Sequence, residues 1–125
     1  MSSKKQIEKI LGAFGAMDVE GIGLLGMVPI PPDSKRTQKV YVIWDENGQG
    51  FWIASTFASS GDLSPSTALK LSEEIPYGIS TMDGDFQVKH YMFFDDATDE
   101  RLKQHYIMVA IHADRLEEYT GADKH

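Results

Sequence analysis

The clearest pattern of apolar and polar positions lies in residues 77–94 and predicts a β-hairpin. Apolar residues alternate with polar ones on both sides of Asp83-Gly84, a dipeptide that tolerates the positive φ angles of a type I′ turn. Because the turn and the alternation demand the same register, each supports the other. The predicted cross-strand pairs are Thr81 with Phe86, Ile79 with Val88, and Tyr77 with His90.

A second hairpin is predicted over Val40–Trp44 and Phe51–Phe57, around a type I′ turn at Asn47-Gly48. Both faces of these strands are apolar, so the strands either lie centrally in a covered sheet or expose an interface. The predicted pairs are Trp44 with Phe51, Val42 with Ile53, Ile43 with Trp52, and Tyr41 with Ala54.

Helical spacing of apolar residues predicts one helix before these hairpins and one between them. Ser3 and Gln6 form a capping box for the first helix. Ser64-Pro65 starts the second helix, and Pro76 stops it. The apolar stripes are Ile7, Ile10, Leu11, Phe14 and Met17 in the first helix, and Ala68, Leu71 and Ile75 in the second.

A third helix is predicted to start near Thr98 and to continue to Tyr119. Its core-facing stripe consists of Leu102, Tyr106, Val109, Ala113 and Leu116. Ile107, Met108 and Ile111 project roughly 140–240° around the helix from Leu102, at about 100° per residue. This helix therefore has more apolar surface than one core contact needs, which favours a binding surface.

The apolar, glycine-rich segment Glu20–Ile30 is a candidate for a further strand, which completes the element order α-β-β-β-α-β-β-α. This order predicts the α+β class, with an antiparallel β-sheet of about five strands packed by helices. The length of 125 residues predicts a single α+β domain over residues 1–125, with a frayed tail at 121–125.

Composition narrows the function classes. The chain has 42% hydrophobic and 25% charged residues, which is typical of a soluble globular protein. It contains no cysteine, which excludes disulfides, thiolate metal sites and cysteine nucleophiles and fits a reducing compartment. No apolar run approaches the roughly 20 residues that span a bilayer. The N-terminus lacks an apolar signal core, so a cytoplasmic location is expected.

The charge of the chain argues against a nucleic-acid partner. The net charge is −7, and it is unevenly distributed along the sequence. Residues 1–41 hold six basic and four acidic residues, whereas the remainder holds six basic and fifteen acidic residues. A protein that neutralises phosphates needs a basic footprint, and this sequence has none. Neither nucleic acid nor an anionic membrane is expected as a direct partner.

Several short motifs suggest ligands but lack the required context. Residues 21–26 match the dinucleotide pattern GxGxxG, yet Pro29 and the prolines that follow forbid the helix that would hold a pyrophosphate. Residues 45–50 begin like a calcium loop, but Thr56 stands where a bidentate Glu is required. A strand and a hairpin turn explain these two segments better.

The remaining chemistry-bearing residues form no convincing catalytic or metal constellation. His105 and His112 lie two helical turns apart, about 10 Å, whereas two zinc-binding histidines usually sit one turn apart; His90 is read as a half-buried strand residue. The acidic residues of the segment 95–100 are typical of a solvated helix start. The sequence predicts no enzyme, no metal and no cofactor.

The hairpins and the third helix resemble members of the YbjN-like family. The resemblance rests on Ala68-Leu69-Lys70-Leu71, Pro76-Tyr77-Gly78-Ile79, the turn Asp83-Gly84-Asp85, the strand Phe86–Phe94 and the helix Thr98–Tyr119, about two fifths of the chain. It implies the type III secretion chaperone-like fold and a small acidic dimer without catalytic residues, which holds extended segments of other proteins or acts as a regulator.

The leading hypothesis is therefore a non-enzymatic protein-binding module, chaperone-like or regulatory, which acts as a homodimer or binds a protein partner. The candidate partner-binding residues are Tyr41, Ile43, Trp52, Tyr91, Phe93, Ile107, Met108 and Ile111. The alternative is a small-ligand sensor with a pocket between the sheet and the helices. Trp44, Phe51 and His90 would line that pocket.

Overall fold

The chain folds into a sheet with helices packed on one of its faces. A computed structural model describes residues 4–30 and 36–120. The helices are α1 (Lys4–Gly12), α2 (Pro65–Ser72) and α3 (Asp99–Thr120), and a short 3₁₀ turn spans Phe94–Asp96. The strands are β1 (Met17–Val19), β2 (Gly23–Pro29), β3 (Thr37–Trp44), β4 (Gly50–Ser59), β5 (Gly78–Met82) and β6 (Asp85–Phe93).

The strands form one antiparallel sheet in the order β1-β2-β3-β4-β6-β5. The α+β class is confirmed, with six strands among the described residues instead of about five. The first four strands are consecutive neighbours in the sheet, and β5 and β6 form a separate hairpin. The two groups meet where β4 pairs with β6, across the chain segment that contains α2 and β5.

The additional strand is β1, which arises because the first helix is shorter than predicted. The helix ends at Gly12, and Gly15 adopts a φ of 83°, which is open to glycine but costly for other residues. Met17 therefore pairs with Leu25 in the sheet and is 71% exposed. Only Ile7 and Leu11 of the predicted stripe are fully buried. The predicted cap at Ser3 lies outside the described residues.

The register of the hairpin over residues 77–94 is confirmed. Asp83 and Gly84 both have positive φ, at 51° and 83°, as a type I′ turn requires. Thr81 pairs with Phe86 and Ile79 with Val88. Tyr77 precedes the first residue of β5, but its ring centroid lies 5.0 Å from that of His90.

The β3–β4 hairpin has the predicted register but a different turn. All four predicted pairs are present, including Ile43 with Trp52. Of the turn dipeptide only Gly48 has positive φ, at 117°. The Asp45 carbonyl accepts the Gly48 N–H at 2.9 Å, and its side chain accepts the Asn47 N–H at 3.0 Å. These two hydrogen bonds, both accepted by Asp45, favour a longer turn over the type I′ turn.

The core lies between α3 and the inner face of β3, β4 and β6. The stripe predicted for the third helix is buried at every position: Leu102, Tyr106, Val109, Ala113 and Leu116. From the sheet, Val42, Ile53 and Val88 are each at most 1% exposed. The helix α2 begins as predicted, because the Ser64 side chain accepts the Thr67 N–H at 3.2 Å. No described helix has both the length and the apolarity needed to cross a membrane.

Candidate functional site

The outer face of the sheet, which lies opposite α3, carries a row of large apolar side chains. In a strand, successive side chains point to opposite faces, so the neighbours of buried core residues point outward. Register aligns Ile43 on β3 with Trp52 on β4 and Tyr91 on β6. All three side chains are half-buried. Tyr41 lies on the same face beside this row. Phe93, two residues after Tyr91 on β6, extends the row and is 52% exposed. We call these five residues the outer patch.

Direct contacts hold the aromatic part of the outer patch together. The ring centroids of Trp52 and Tyr91 lie 5.1 Å apart, and those of Tyr91 and Phe93 lie 5.2 Å apart, both edge to face. Edge-to-face pairs stabilise by about 0.5–1.5 kcal/mol beyond their buried area. The Lys89 Nζ lies 4.9 Å from the centroid of the Trp52 ring. The aromatic surface therefore has a defined shape with a cation at its margin.

A hydrogen bond fixes the orientation of Tyr91. Its hydroxyl donates a hydrogen bond of 2.8 Å to the Asp45 carboxylate. This bond, with burial and the negative charge of Asp45 as smaller causes, raises the pKa of Tyr91 above its usual range. Gly50 leaves room for the Tyr91 side chain, since a Cβ there would lie 2.8 Å from both the Cζ and the hydroxyl oxygen of Tyr91, and 2.2 Å from the Met92 carbonyl oxygen.

A pocket of about 290 Å³ opens beside the row, over Tyr41 and Ile43. Val19 and Ile22 line it from the β1–β2 hairpin, and Met82 and Asp83 line it from the β5–β6 hairpin. The right-handed twist of a sheet raises diagonally opposite corners toward the same side, which explains how two distant turns border one pocket. The outer face is therefore concave, with a mostly apolar pocket next to an aromatic row.

The three predicted helix residues lie apart from the outer patch, because α3 packs on the inner face. Ile107 and Ile111 are half-buried and contact the core. Met108 is half-buried between His105 and His112 along the helix. The structure thus brings together the five predicted sheet residues and leaves the three helix residues on a separate surface.

The residues predicted to line a ligand pocket between sheet and helices are closed off by packing. Trp44 and Phe51 are 4% and 0% exposed, and both contact the ring of Phe94, with centroids 6.3 and 5.5 Å away. His90 contacts Tyr77 and His105 instead. Phe94, which closes the pocket, belongs to the 3₁₀ turn after β6. The alternation of apolar and polar residues does not predict this turn, so it did not predict the position of Phe94.

Three histidines that the sequence separates meet around one tyrosine. The rings of His90 and His105 have centroids 4.5 Å apart, and the Tyr77 ring contacts both of them and His112. Burial, followed by the charge of His105, lowers the pKa of His90. Burial, followed by the charge of Arg115, lowers the pKa of His112. Within residues 4–30 and 36–120, no three His, Cys, Asp or Glu side chains are placed to hold a metal ion.

The glycines of the dinucleotide-like pattern have structural explanations. Gly21 has a φ of 78° in the β1–β2 turn. A Cβ at Gly23 would lie 1.8 Å from the Val42 carbonyl oxygen, and a Cβ at Gly26 would lie 2.0 Å from the Tyr106 hydroxyl. Since the glycines lie in a turn and in β2, no helix N-terminus is available for a pyrophosphate.

The acidic residues of the segment 95–100 are exposed. Asp95 and Asp96 lie in the 3₁₀ turn, and Asp99 pairs with Lys103 at 2.8 Å, one turn along α3. Such an exposed pair contributes little stability, about 0.3–0.5 kcal/mol. This cluster is a solvated helix start.

Neither a family model nor a curated protein matches the sequence. Solved structures resemble its fold. A chain of the HopA1-SchA chaperone-effector complex superposes with a TM-score of 0.70 at 8% identity, over 92% of both chains. A chain of the ExsC-ExsE complex superposes with a TM-score of 0.67 at 9% identity, over 94% of this chain and 96% of that one. Membership of the YbjN-like family stays a prediction, whereas the secretion chaperone-like fold is confirmed.

Proposed function

We propose that the protein is a non-enzymatic protein-binding module, chaperone-like or regulatory, which holds an apolar segment of a partner against the outer patch. One observation carries this proposal: five large apolar side chains share a concave face that no described helix covers. Monomeric proteins rarely expose a contiguous apolar surface of this kind without using it for binding.

The composition of the outer patch fits a protein partner. Tyr, Trp and Phe are enriched in contact surfaces, and they dominate binding energies when they lie at the centre of an interface. Trp52 and Tyr91 are already fixed by ring contacts and by Asp45, so binding costs little side-chain entropy. The neighbouring pocket over Tyr41 and Ile43 accommodates an apolar side chain of the partner.

The fold supports the same proposal. A chain of this fold occurs in a chaperone-effector complex, where it is bound to another protein. The second part of our proposal is that the chain forms a homodimer in the cytoplasm, with Ile107, Met108 and Ile111 as a separate contact surface on α3. An interface of this kind would leave the outer patch free for a partner.

The test is a pull-down from native lysate combined with size exclusion and light scattering. The binding variant is Trp52→Thr with Phe93→Thr, which removes aromatic surface but keeps residues suited to strands. The matched control is Leu69→Thr, because Leu69 is a 71% exposed apolar residue on α2, away from the outer patch. We expect the wild type and the control to retain a stoichiometric protein, and the binding variant to lose it.

A further variant, Ile111→Asp, separates the two surfaces. It is expected to disrupt the dimer while the outer patch still captures a partner. Equal capture by the wild type and the Trp52/Phe93 variant would refute the outer patch as the binding surface. An unchanged dimer in Ile111→Asp would refute the helix surface.

A further inference from the structure

We propose that a pH-sensitive contact, formed by Tyr77, His90, His105 and His112, holds the β5–β6 hairpin against α3 at neutral pH and weakens when the histidines protonate. We call these four residues the histidine cluster. The inference is independent of the proposed binding function, because it concerns the contact between two elements of the same chain.

The histidine cluster links three separate stretches of the chain. His90 lies on β6, His105 and His112 lie on α3, and Tyr77 precedes β5. The Tyr77 ring centroid lies 5.0 Å from that of His90 and 5.7 Å from those of both helix histidines. A hydrogen bond of 2.8 Å joins the Tyr77 hydroxyl to the Nδ1 of His105. This tyrosine is therefore the centre of the contact between hairpin and helix.

Close packing makes a doubly charged cluster unfavourable. The rings of His90 and His105 are tilted by 31° with centroids 4.5 Å apart, so two imidazolium ions there would repel each other. His112 is only 8% exposed, which penalises its charged form as well. In their uncharged forms, His90 and His112 pack against Tyr77 as aromatic groups.

The charges that shift the pKa values of His90 and His112 come from basic groups. From α3, Arg115 acts on His112 and is itself positive. From β6 and α3, the histidines act on each other. Tyr77, from the segment before β5, stays neutral because burial raises its pKa, and β4 presents Ile53 opposite His90. Protonation of His90 or His112 therefore adds a positive charge close to another basic group.

The sign of the pH effect follows from the lowered pKa values of His90 and His112. In the unfolded chain a histidine has a pKa of about 6.5, so it binds protons before its folded counterpart does. The stabilisation by the neutral rings is fully present above about pH 6.5 and is lost as the pH falls through the lower folded pKa.

Loosening is expected to be local because β5 is an edge strand. Among the described strands it pairs with β6 alone, from Gly78 to Met82. Tyr77 and His90 are the points at which this hairpin contacts the histidines of α3. When the histidines of the cluster protonate, the β5–β6 hairpin loses this contact with α3. The hairpins of β1–β4 keep their own contacts.

The first experiment measures urea unfolding between pH 7.5 and pH 5.5. The variant His90→Gln with His105→Gln removes the facing rings, and the amide introduced at position 105 still offers an acceptor to Tyr77. The control is His125→Gln, since His125 is the fourth histidine of the chain and lies outside the described residues. We expect the wild type and the control to lose stability as the pH falls below about 6.5, by at most about tenfold in the unfolding equilibrium for each histidine with a lowered pKa. The double variant should lose clearly less.

A second experiment uses the unaltered chain, so it does not depend on the variants folding. Histidine ring signals are titrated by NMR, and amide hydrogen exchange is followed over the same pH range. The proposal predicts coupled titration of two histidines and faster relative exchange in β5 and β6 at low pH. Independent titration near pH 6.5, or equal pH slopes in the wild type and the double variant, would overturn it.

Discussion

At the scale of single residues, Gly26 and Tyr106 show how a distant side chain dictates a glycine. Tyr106 is 1% exposed, and burial raises its pKa to about 12. Its hydroxyl has no hydrogen-bond partner among the described residues. It occupies the space that a Cβ at position 26 would need, 2.0 Å away. The tyrosine therefore explains why the third glycine of the pattern cannot carry a side chain.

We expect Gly26→Ala to lower the free energy of unfolding by about 1–3 kcal/mol, because it overpacks the core. Tyr106→Phe should remove most of that loss, since it deletes the hydroxyl that the new methyl group meets. Urea unfolding of both single variants and the double variant measures the coupling. Gly12→Ala is the control, as a Cβ there meets nothing within 4 Å. A Gly26→Ala loss that is the same in both backgrounds would contradict the explanation.

At the scale of elements, a buried polar network joins β3, β4 and α3. The amide nitrogen of Gln38 lies 3.0 Å from the Ser55 hydroxyl, 2.9 Å from the Thr56 carbonyl oxygen and 2.9 Å from the Glu117 carboxylate. Gln38 and Glu117 are 2% and 4% exposed. Such groups are costly to bury unless their hydrogen bonds are satisfied, so the network fixes the position of α3 along the sheet.

We expect Gln38→Leu to lower the free energy of unfolding by about 1–3 kcal/mol, because it removes a donor from a buried carboxylate. Thermal and urea unfolding check this. Gln104→Leu, at an exposed position of α3, makes the same chemical change without a buried partner and should have little effect. Equal losses in the two variants would mean that the network does not contribute to stability.

Local patterns predicted the hairpins of this fold but not its longer-range pairings. The period of two and a type I′ turn dipeptide together predicted the pair of Thr81 with Phe86. The pair of Ile43 with Trp52 was also predicted, although the turn at Asn47-Gly48 is not of type I′. Strand β1 has three exposed residues and leaves no alternation to detect. The meeting of His90 with His105 depends on how α3 crosses the sheet, which no local pattern contains. The five sheet residues of the outer patch were predictable because they alternate with core residues.

At the scale of the whole molecule, net charge and apolar surface have opposite effects on self-association. Each chain carries a net charge of −7, so two copies repel one another through water. The apolar contacts proposed for α3 and for the outer patch do not depend on salt in this way. Salt screens the repulsion over a Debye length of about 8–10 Å under ordinary buffer conditions.

We therefore expect self-association to strengthen as salt is raised. Light scattering should give a mass near twice 14.0 kDa, and the dimer should persist to lower concentrations at higher ionic strength. A dimer that dissociates as salt increases would instead be held by ion pairs. Lysozyme or another unrelated monomer, run under the same conditions, controls for general salt effects on scattering.

The pairing of β4 with β6, which we call the seam, has a consequence for the order of folding. The hairpins of β1–β4 and of β5–β6 join residues that are close in sequence, whereas the seam from Gly50 with Phe93 to Ser59 with Asp85 must close a loop that contains α2 and β5. Loop closure has an entropic cost before the new contacts form, and non-local pairings slow folding. The two hairpin groups are thus expected to form early and to dock late, so that the seam, with α3 laid across it, determines the rate at which the native sheet appears.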